Sequence, residues 1–212
     1  MALLLPFDGR TPQVHPTAFL APTAVLVGDV ALGPESSVWF GAVLRGDHAA
    51  TGIVVGSRTS IQDNCVVHVG TWGPTVVGDD VTVGHGAKFE SCTIGNRTVV
   101  GMNAVILQNA VVGEECVLAA NTVVLEGARI PPRSLVAGVP GEVKKTLEGS
   151  AAEWIRRGSR HYVALSRAYR AEGLGMPEIS AQRCERCGGE MVDRHCKLVC
   201  VRCGYQRDCS DP

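Results

Sequence analysis

The sequence predicts an all-β solenoid that is followed by one α-helix and a small cysteine-rich appendage. An aliphatic residue recurs every six positions over most of the first two thirds of the chain. The residue four places further on is nearly always small, and glycine, asparagine or aspartate stands between many repeats. A period of six fits neither an α-helix nor a β-hairpin, but it fits short strands joined by tight turns around an aliphatic interior.

The repeat is interrupted twice, and one further step, from Phe89 to Ile94, is short by one residue. The aliphatic position is occupied by the aromatic Phe89 in one repeat and otherwise by Leu20, Leu26, Leu32, Val38, Leu44, Val55, Ile61, Val67, Val77, Val83, Ile94, Val100, Ile106, Val112, Leu118, Val124, Ile130 and Val136. The alternative, a β-sandwich, would space its strands by about 8 to 12 residues. Cys65 and Cys116 take the small position of the repeat, so we expect them to be core residues.

The composition limits the classes of function. The chain has 212 residues, 45% apolar content and a formal charge of -1, which suits a globular protein with one main domain. This charge gives no reason to expect nucleic acid or a membrane as a partner. The opening MALLLPF is too short for the apolar region of a signal peptide and contains Pro6. We therefore expect a cytoplasmic protein.

Proline, glycine and cysteine divide the rest of the chain. We predict the solenoid over residues 1–147, a C-terminal helix over 148–173, a linker over 174–183 and a zinc ribbon over 184–212. Pro131-Pro132 and Pro140-Gly141 are expected to break the solenoid, and Ser150-Ala-Ala-Glu153 is a capping box for a helix running to about Glu172. The apolar face of this helix is marked by Ile155, Tyr162, Leu165 and Tyr169.

Two Cys-x-x-Cys pairs near the C-terminus predict a structural zinc site. The four ligands are Cys184, Cys187, Cys200 and Cys203. Their spacing suits tetrahedral zinc, and a closed four-thiolate site would fold a mini-domain that is too small for its own core. Redox chemistry is the alternative, but the βαβ context of a thioredoxin-like pair is absent. Cys196 and Cys209 are left over, and the ribbon's mixed charges leave a protein partner open.

Three joined motifs carry a resemblance to a known family. They are VWFGAVLRGD at 38–47, IQDNCVVHV at 61–69 and VTVGHGAKFESCTIGNRTVVGMNAV at 81–105. The chain resembles the γ-class carbonic anhydrases, which are hexapeptide-repeat proteins, over roughly residues 10 to 172. The resemblance implies a left-handed parallel β-helix with three repeats per coil, a C-terminal helix packed on the solenoid and a homotrimer.

Counting three repeats per coil places Arg45, His68 and Glu90 in one column. Each follows an aliphatic residue of the same face by one place. Adjacent strands lie about 4.8 Å apart, so neighbouring side chains of the column can reach one metal ion. His85 falls on the preceding face and points elsewhere. In a trimer, His85 of a neighbouring subunit could meet His68 and Glu90.

The resemblance implies zinc held by three histidines, two from one subunit and one from the next. His68 and His85 align with two of them, whereas Glu90 takes the place of the third. A carboxylate ligand cancels part of the zinc charge, so water at the site should be less acidic than at three imidazoles. The alternative is that Glu90 pairs with Arg45 or Lys88 and that both histidines are interface residues.

Other residues match the family around this column. Arg45 and Asp47 resemble the pair that bridges subunits, with a plain interface salt bridge as the alternative. Gln62 aligns with the glutamine that hydrogen-bonds the reacting hydroxide or bicarbonate; its alternative is a solvated amide. His48 stands where the family prototype has an acidic residue for proton transfer, and we consider it a candidate proton shuttle.

The resemblance therefore implies a zinc enzyme that reversibly hydrates CO2 to bicarbonate, attenuated by Glu90. Two alternatives stay open at this point. One is a non-catalytic scaffold or binding protein that has kept the trimer, and the other is acyl transfer to, or hydrolysis of, a coenzyme A thioester.

Overall fold

The first unit of the protein is a parallel β-solenoid. The computed structural model describes residues 2–175, 186–187, 191–193, 197–200, 203 and 205–208. The chain separates into two compact units, Met1–Pro177 and Glu178–Pro212. In the first unit, each strand pairs with the strand three places later in the chain, which is one coil further along. This is the left-handed hexapeptide β-helix that the sequence predicts, and the predicted fold is confirmed.

Three sheets form the sides of the solenoid, with strands numbered in chain order. The first sheet contains β1 (Leu3–Leu5), β4 (Val25–Gly28), β7 (Val43–Gly46), β10 (Val66–His68), β13 (Lys88–Glu90), β16 (Val105–Ile106) and β19 (Val123–Val124). The second sheet contains β2 (Gln13–Val14), β5 (Val30–Leu32), β8 (Ile53–Val55), β11 (Thr75–Val77), β14 (Thr93–Ile94), β17 (Val111–Val112) and β20 (Arg129–Ile130). The third sheet contains β3 (Phe19–Leu20), β6 (Ser37–Val38), β9 (Ser60–Ile61), β12 (Thr82–Val83), β15 (Val99–Val100), β18 (Val117–Leu118), β21 (Ser134–Ala137) and β22 (Glu142–Thr146).

The repeat positions fill the interior as predicted. All the aliphatic residues of the repeat are buried in one continuous core. Cys65 and Cys116 are fully buried at the small position, which confirms that they are core residues. Stacking aliphatic side chains from successive coils removes a continuous strip of apolar surface from water, and this burial is the main source of stability in a solenoid.

One corner of the solenoid carries a ladder of alternating charges. Its residues have positive φ angles and are Glu35, Arg58, Asp80, Arg97, Glu115 and Arg133. Arg58 donates to both oxygens of Asp80 at 2.8 and 2.7 Å, and Arg97 donates to Glu115 at 3.0 Å. A shift of the chain by one coil would place like charges next to each other, so the ladder favours the observed register.

We expect the Arg58–Asp80 pair to make stability depend on pH. The hydrogen bonds from Arg58 hold the pKa of Asp80 below its ordinary value. A carboxyl whose pKa is lowered on folding adds stability above its unfolded pKa, and this stability is lost as the pH falls through the folded pKa. Arg58→Gln should lower the free energy of unfolding by about 1 kcal/mol at pH 7. The difference from wild type should shrink as the pH falls below about 4.

The measurement is urea unfolding of both proteins at one protein concentration between pH 7 and pH 2.5. Arg129→Gln is the matched control, because the Arg129 side chain donates to the Asn109 carbonyl at 2.7 Å and forms no ion pair with a carboxylate of the described residues. A difference between wild type and Arg58→Gln that stays constant over this pH range would contradict the assignment.

The structure corrects the predicted end of the solenoid. Pro131-Pro132 does not break it, because β21 follows at Ser134 and pairs in parallel with β18. Pro131 follows β20, the last strand of the second sheet, so no later coil needs its missing N–H, whereas the N–H of Gly113 at the same position one coil earlier donates to the Ile130 carbonyl at 2.9 Å. The solenoid is instead closed by β22, which pairs antiparallel with β21. The turn between them, residues 138–141, contains Pro140-Gly141, the second predicted break.

The C-terminal helix packs on the third sheet of the solenoid. α1 (Ser150–Ala171) begins one residue earlier than a capping box at Ser150 requires, since its N-cap is Gly149. The capping-box prediction is therefore wrong. The Tyr169 ring lies 5.2 Å from the Trp39 ring between centroids, and Tyr162 and Leu165 join this aromatic cluster. In the described part of the chain, no helix is long and apolar enough to cross a membrane.

The second unit contains a small antiparallel sheet. Its strands are β23 (Met191–Asp193), β24 (Lys197–Cys200) and β25 (Gln206–Asp208), with β24 in the centre. Cys187 and Cys203 and the backbone of Cys200 are described, whereas Cys184, Cys196 and Cys209 lie outside the described residues. The four-cysteine zinc site therefore stays a prediction.

Candidate metal site

The predicted column of polar residues is present on the first sheet. His68 on β10 pairs in register with Arg45 on β7 and with Glu90 on β13. Side chains in a strand alternate between the two faces, so the residue after each buried aliphatic residue points away from the core. The six-residue count therefore gave the correct register for these three residues.

His68 lies between two carboxylates. Its Nδ1 is 3.3 Å from Glu90 Oε2, and its Nε2 is 3.2 Å from Asp47 Oδ1. Within one chain, Glu90 thus pairs with His68, whereas the Lys88 ammonium donates to the carbonyl of Gly86 and Arg45 pairs with Asp47. The pairing of Glu90 with Arg45 or Lys88 is therefore not present in the single chain, and the alternative role of both histidines as interface residues stays open. Glu90 Oε2 and His68 Nδ1 lie as close together as two ligand atoms of one metal ion would.

Arg45 and Asp47 form an ion pair beside His68. Burial by itself would raise the pKa of Asp47, but the hydrogen bond and the charge of Arg45 outweigh it and hold this pKa below the ordinary value. Asp47 is therefore an anion at neutral pH and can accept a hydrogen bond from His68. Arg45 and Asp47 thus meet within one chain, and a bridge between subunits by the same residues stays a prediction.

His85 lies away from this column, at the corner after β12. Its Nδ1 is 2.8 Å from Asp63 Oδ2, and its side chain is 49% exposed. Asp63 is not among the site residues that the sequence predicts. The signal was present, because Asp63 directly follows Gln62 in the IQDN motif and the corner register places that turn beside His85.

The remaining predicted residues have different surroundings. Gln62 is only 3% exposed in the single chain and lines the same cavity as His85, and its role toward the reacting molecule stays a prediction, with the solvated amide as its alternative. His48 lies in a short turn in which its Nδ1 accepts a hydrogen bond from the Ala50 N–H at 3.3 Å, with the Thr51 hydroxyl at 3.2 Å. Its Nε2 is thus the nitrogen left for proton transfer, and the shuttle role stays a prediction.

The donor atoms at His68 and Glu90 fit a zinc ion. Two ligands at bond lengths of about 2.0 to 2.2 Å on a tetrahedral ion lie about 3.3 to 3.5 Å apart. The separation of 3.3 Å between His68 Nδ1 and Glu90 Oε2 agrees with this distance between two zinc ligands. The opposite nitrogen of His68 faces Asp47, and such a carboxylate partner is typical of a metal-binding histidine. Among the described residues of one chain, no group of three histidine, cysteine, aspartate or glutamate side chains is arranged to hold a metal ion.

The cysteines of the solenoid offer no reactive thiolate. Burial raises the pKa of Cys65 to about 11 and that of Cys92 to about 12, and it also raises the pKa of Cys116. A thiol is nucleophilic only as its anion, so these three side chains are inert at neutral pH.

Comparisons with known proteins agree with the fold and the motifs. The family model for bacterial transferase hexapeptide (six repeats) matches residues 74–108 and 91–126. A probable carbonic anhydrase of Methanocaldococcus jannaschii is 47% identical over 147 residues, which make up 69% of this chain and 91% of the relative. Gamma carbonic anhydrase 1, mitochondrial, of Arabidopsis thaliana is 39% identical over 172 residues, or 78% of this chain. This chain spans 62% of the length of that plant relative.

A solved structure extends the comparison to three dimensions. The hexapeptide transferase family protein from Anaplasma phagocytophilum has a TM-score of 0.75 and 39% identity, and the match covers 79% of this chain and 98% of that one. The identity to the archaeal relative, over nearly all of that protein, is high enough to decide the family. The chain belongs to the γ-carbonic-anhydrase-like family of hexapeptide-repeat proteins.

Proposed function

We propose that this chain forms a homotrimer that binds zinc between subunits and catalyses the reversible hydration of CO2 to bicarbonate. In this proposal His68 and Glu90 of one subunit and His85 of the next hold the ion. The observation that carries it is the 3.3 Å separation of the His68 and Glu90 donor atoms on adjacent strands. The family supports the reaction, because relatives of this chain are named carbonic anhydrases.

Zinc, when bound, would act as a Lewis acid that lowers the pKa of water at the site. The chain's own residues would position the reacting molecule and the zinc ligands, and they would set the charge around the ion. Gln62 is buried and lines the same cavity as His85, so its amide can orient a reacting molecule beside that imidazole. Arg45 fixes Asp47, which in turn contacts His68. Glu90 adds a negative charge that makes water at the site less acidic, so we expect slow turnover.

The first test is metal analysis of the purified full-length protein. We expect two zinc ions per chain, one between subunits and one in the predicted ribbon. His68→Ala should lose one of these ions, because a carboxylate and one imidazole do not hold zinc tightly without the second imidazole. His15→Ala is the matched control, since the His15 imidazole contacts the Thr17 hydroxyl on an early coil. Equal zinc content in wild type and His68→Ala would refute the inter-subunit site.

A scaffold and an acyl-group enzyme are the competing proposals. A trimeric scaffold would keep its assembly but would show no CO2 hydration with the site loaded. Acyl transfer is favoured by one observation, the name of the solved hexapeptide transferase family protein that this chain resembles. It requires binding of coenzyme A, which calorimetry on the full chain measures directly. A protein partner of the ribbon also stays a proposal, and pull-down with and without residues 178–212 tests it.

A further inference from the structure

His85 and Asp63 occupy equivalent corner positions on adjacent coils. The Gly86 N–H donates to the carbonyl of Asp63 at 2.9 Å, and the Asn103 N–H donates to the carbonyl of His85 at 2.9 Å. The backbone on both sides of His85 is thus fixed by the coil ladder. The His85 imidazole is not fixed by this ladder, because it projects from the corner and is half exposed.

The His85 ring has space in which to turn. It lines a cavity of about 260 Å³ between the third sheet and α1, together with Gln62, His161 and Tyr162. A ring with this freedom needs a restraint if one nitrogen is to be presented to a ligand. The contact of 2.8 Å between its Nδ1 and Asp63 Oδ2 is such a restraint.

We propose that Asp63 is a positioning residue for the metal site. With its Oδ2 2.8 Å from His85 Nδ1, this carboxylate favours the tautomer that carries the proton on Nδ1 and the lone pair on Nε2. Nε2 is then free to bind a metal ion held by His68 and Glu90 of a neighbouring subunit. This inference rests on the proposed inter-subunit site and names the residue that prepares its third ligand.

His68, the other imidazole of the proposed site, also has an aspartate beside one ring nitrogen. Asp47 Oδ1 contacts His68 Nε2 at 3.2 Å and leaves Nδ1 facing Glu90. Each candidate histidine therefore has one ring nitrogen beside an aspartate and the other available as a ligand. A carboxylate partner of this kind fixes the tautomer and makes the imidazole more basic, and its loss typically weakens metal binding by about 10-fold to 100-fold.

The experiment compares metal affinity in full-length Asp63→Ala, Asp63→Asn and wild type. Cobalt(II) is the probe, because its visible absorption reports the coordination geometry independently of any turnover. The absorption that is lost in His68→Ala defines the inter-subunit site and separates it from the ribbon. Glu142→Gln is the matched control, since Glu142 pairs with Lys144 on an exposed strand.

We expect Asp63→Ala to bind cobalt at this site about 10-fold to 100-fold more weakly, with an altered visible spectrum. Asp63→Asn keeps the shape of the side chain and so guards against a loss caused by misfolding. It should also weaken binding, because its amide NH2 can stabilise the wrong tautomer. Glu142→Gln should bind cobalt like wild type, and all variants should keep the oligomer mass and the melting temperature of the metal-free protein.

The outcomes separate the two proposals. If wild type and His68→Ala give the same spectrum, the inter-subunit site fails and the role of Asp63 fails with it. If wild type binds cobalt at this site and both Asp63 variants bind it with unchanged affinity, the role of Asp63 is refuted and the proposed site stands.

Discussion

Glu90→His is expected to raise the rate of CO2 hydration at neutral pH by about tenfold or more. In the proposed site, histidine would replace a charged ligand by a neutral one, so that a bound zinc ion would keep more of its charge and lower the pKa of water further. A decrease of one pKa unit is worth about 1.4 kcal/mol, or a factor of about ten in the ionised fraction. The pH profile of kcat/KM should therefore reach its plateau at a lower pH in the variant. Stopped-flow measurement with a pH indicator gives both quantities.

Two further variants make the Glu90→His result specific. Glu90→Gln also removes the charge but supplies a poor zinc ligand, so it should lose the inter-subunit metal instead of gaining activity. Glu115→Gln removes a carboxylate from the charged corner and should leave the hydration rate unchanged. If zinc-loaded wild type and Glu90→His are both inactive, the chain is not a carbonic anhydrase, and the scaffold proposal takes its place.

Gly46→Ala is expected to cost about 3 kcal/mol of stability and to disrupt the metal site. Gly46 ends β7 between Arg45 and Asp47, and an added Cβ would collide with the carbonyl oxygen and, at 2.8 Å, the carbonyl carbon of Asp29 on the coil before. Both colliding atoms belong to backbone, so one coil must move. Denaturant unfolding measures the loss of stability, and metal analysis measures the effect on the site.

Gly158→Ala is the matched control for this substitution. Gly158 lies within α1, and a Cβ there would meet the Thr82 hydroxyl at an ordinary distance of 3.4 Å. Alanine is favoured over glycine in a helix interior, so this variant should gain about 0.5 to 1 kcal/mol. The same chemical change is thus expected to have opposite signs at two positions. Equal stability of Gly46→Ala and wild type would show that the two coils separate easily.

Two boundary predictions are wrong, and both take a short motif as a local stop or start signal: Pro131-Pro132 for the solenoid and Ser150-Ala-Ala-Glu153 for the helix. Pro131 follows the last strand of its sheet, where no later coil needs its N–H. The helix has Gly149 as its N-cap, and no side chain caps it. Local propensity is a weak guide where tertiary contacts set the boundaries.

The sequence by itself determined the solenoid, its core and the register of His68 with Glu90. The repeat of six residues has a constant length, and three such repeats make one coil. Only one assignment of residues to the inside and the outside of the solenoid is compatible with this period. It could not determine which polar atoms meet. Asp47 contacts His68 and Asp63 contacts His85 because the turns place these carboxylates beside a different coil. Such contacts depend on side-chain direction at corners, which the repeat period does not encode, and only the tertiary structure decided them.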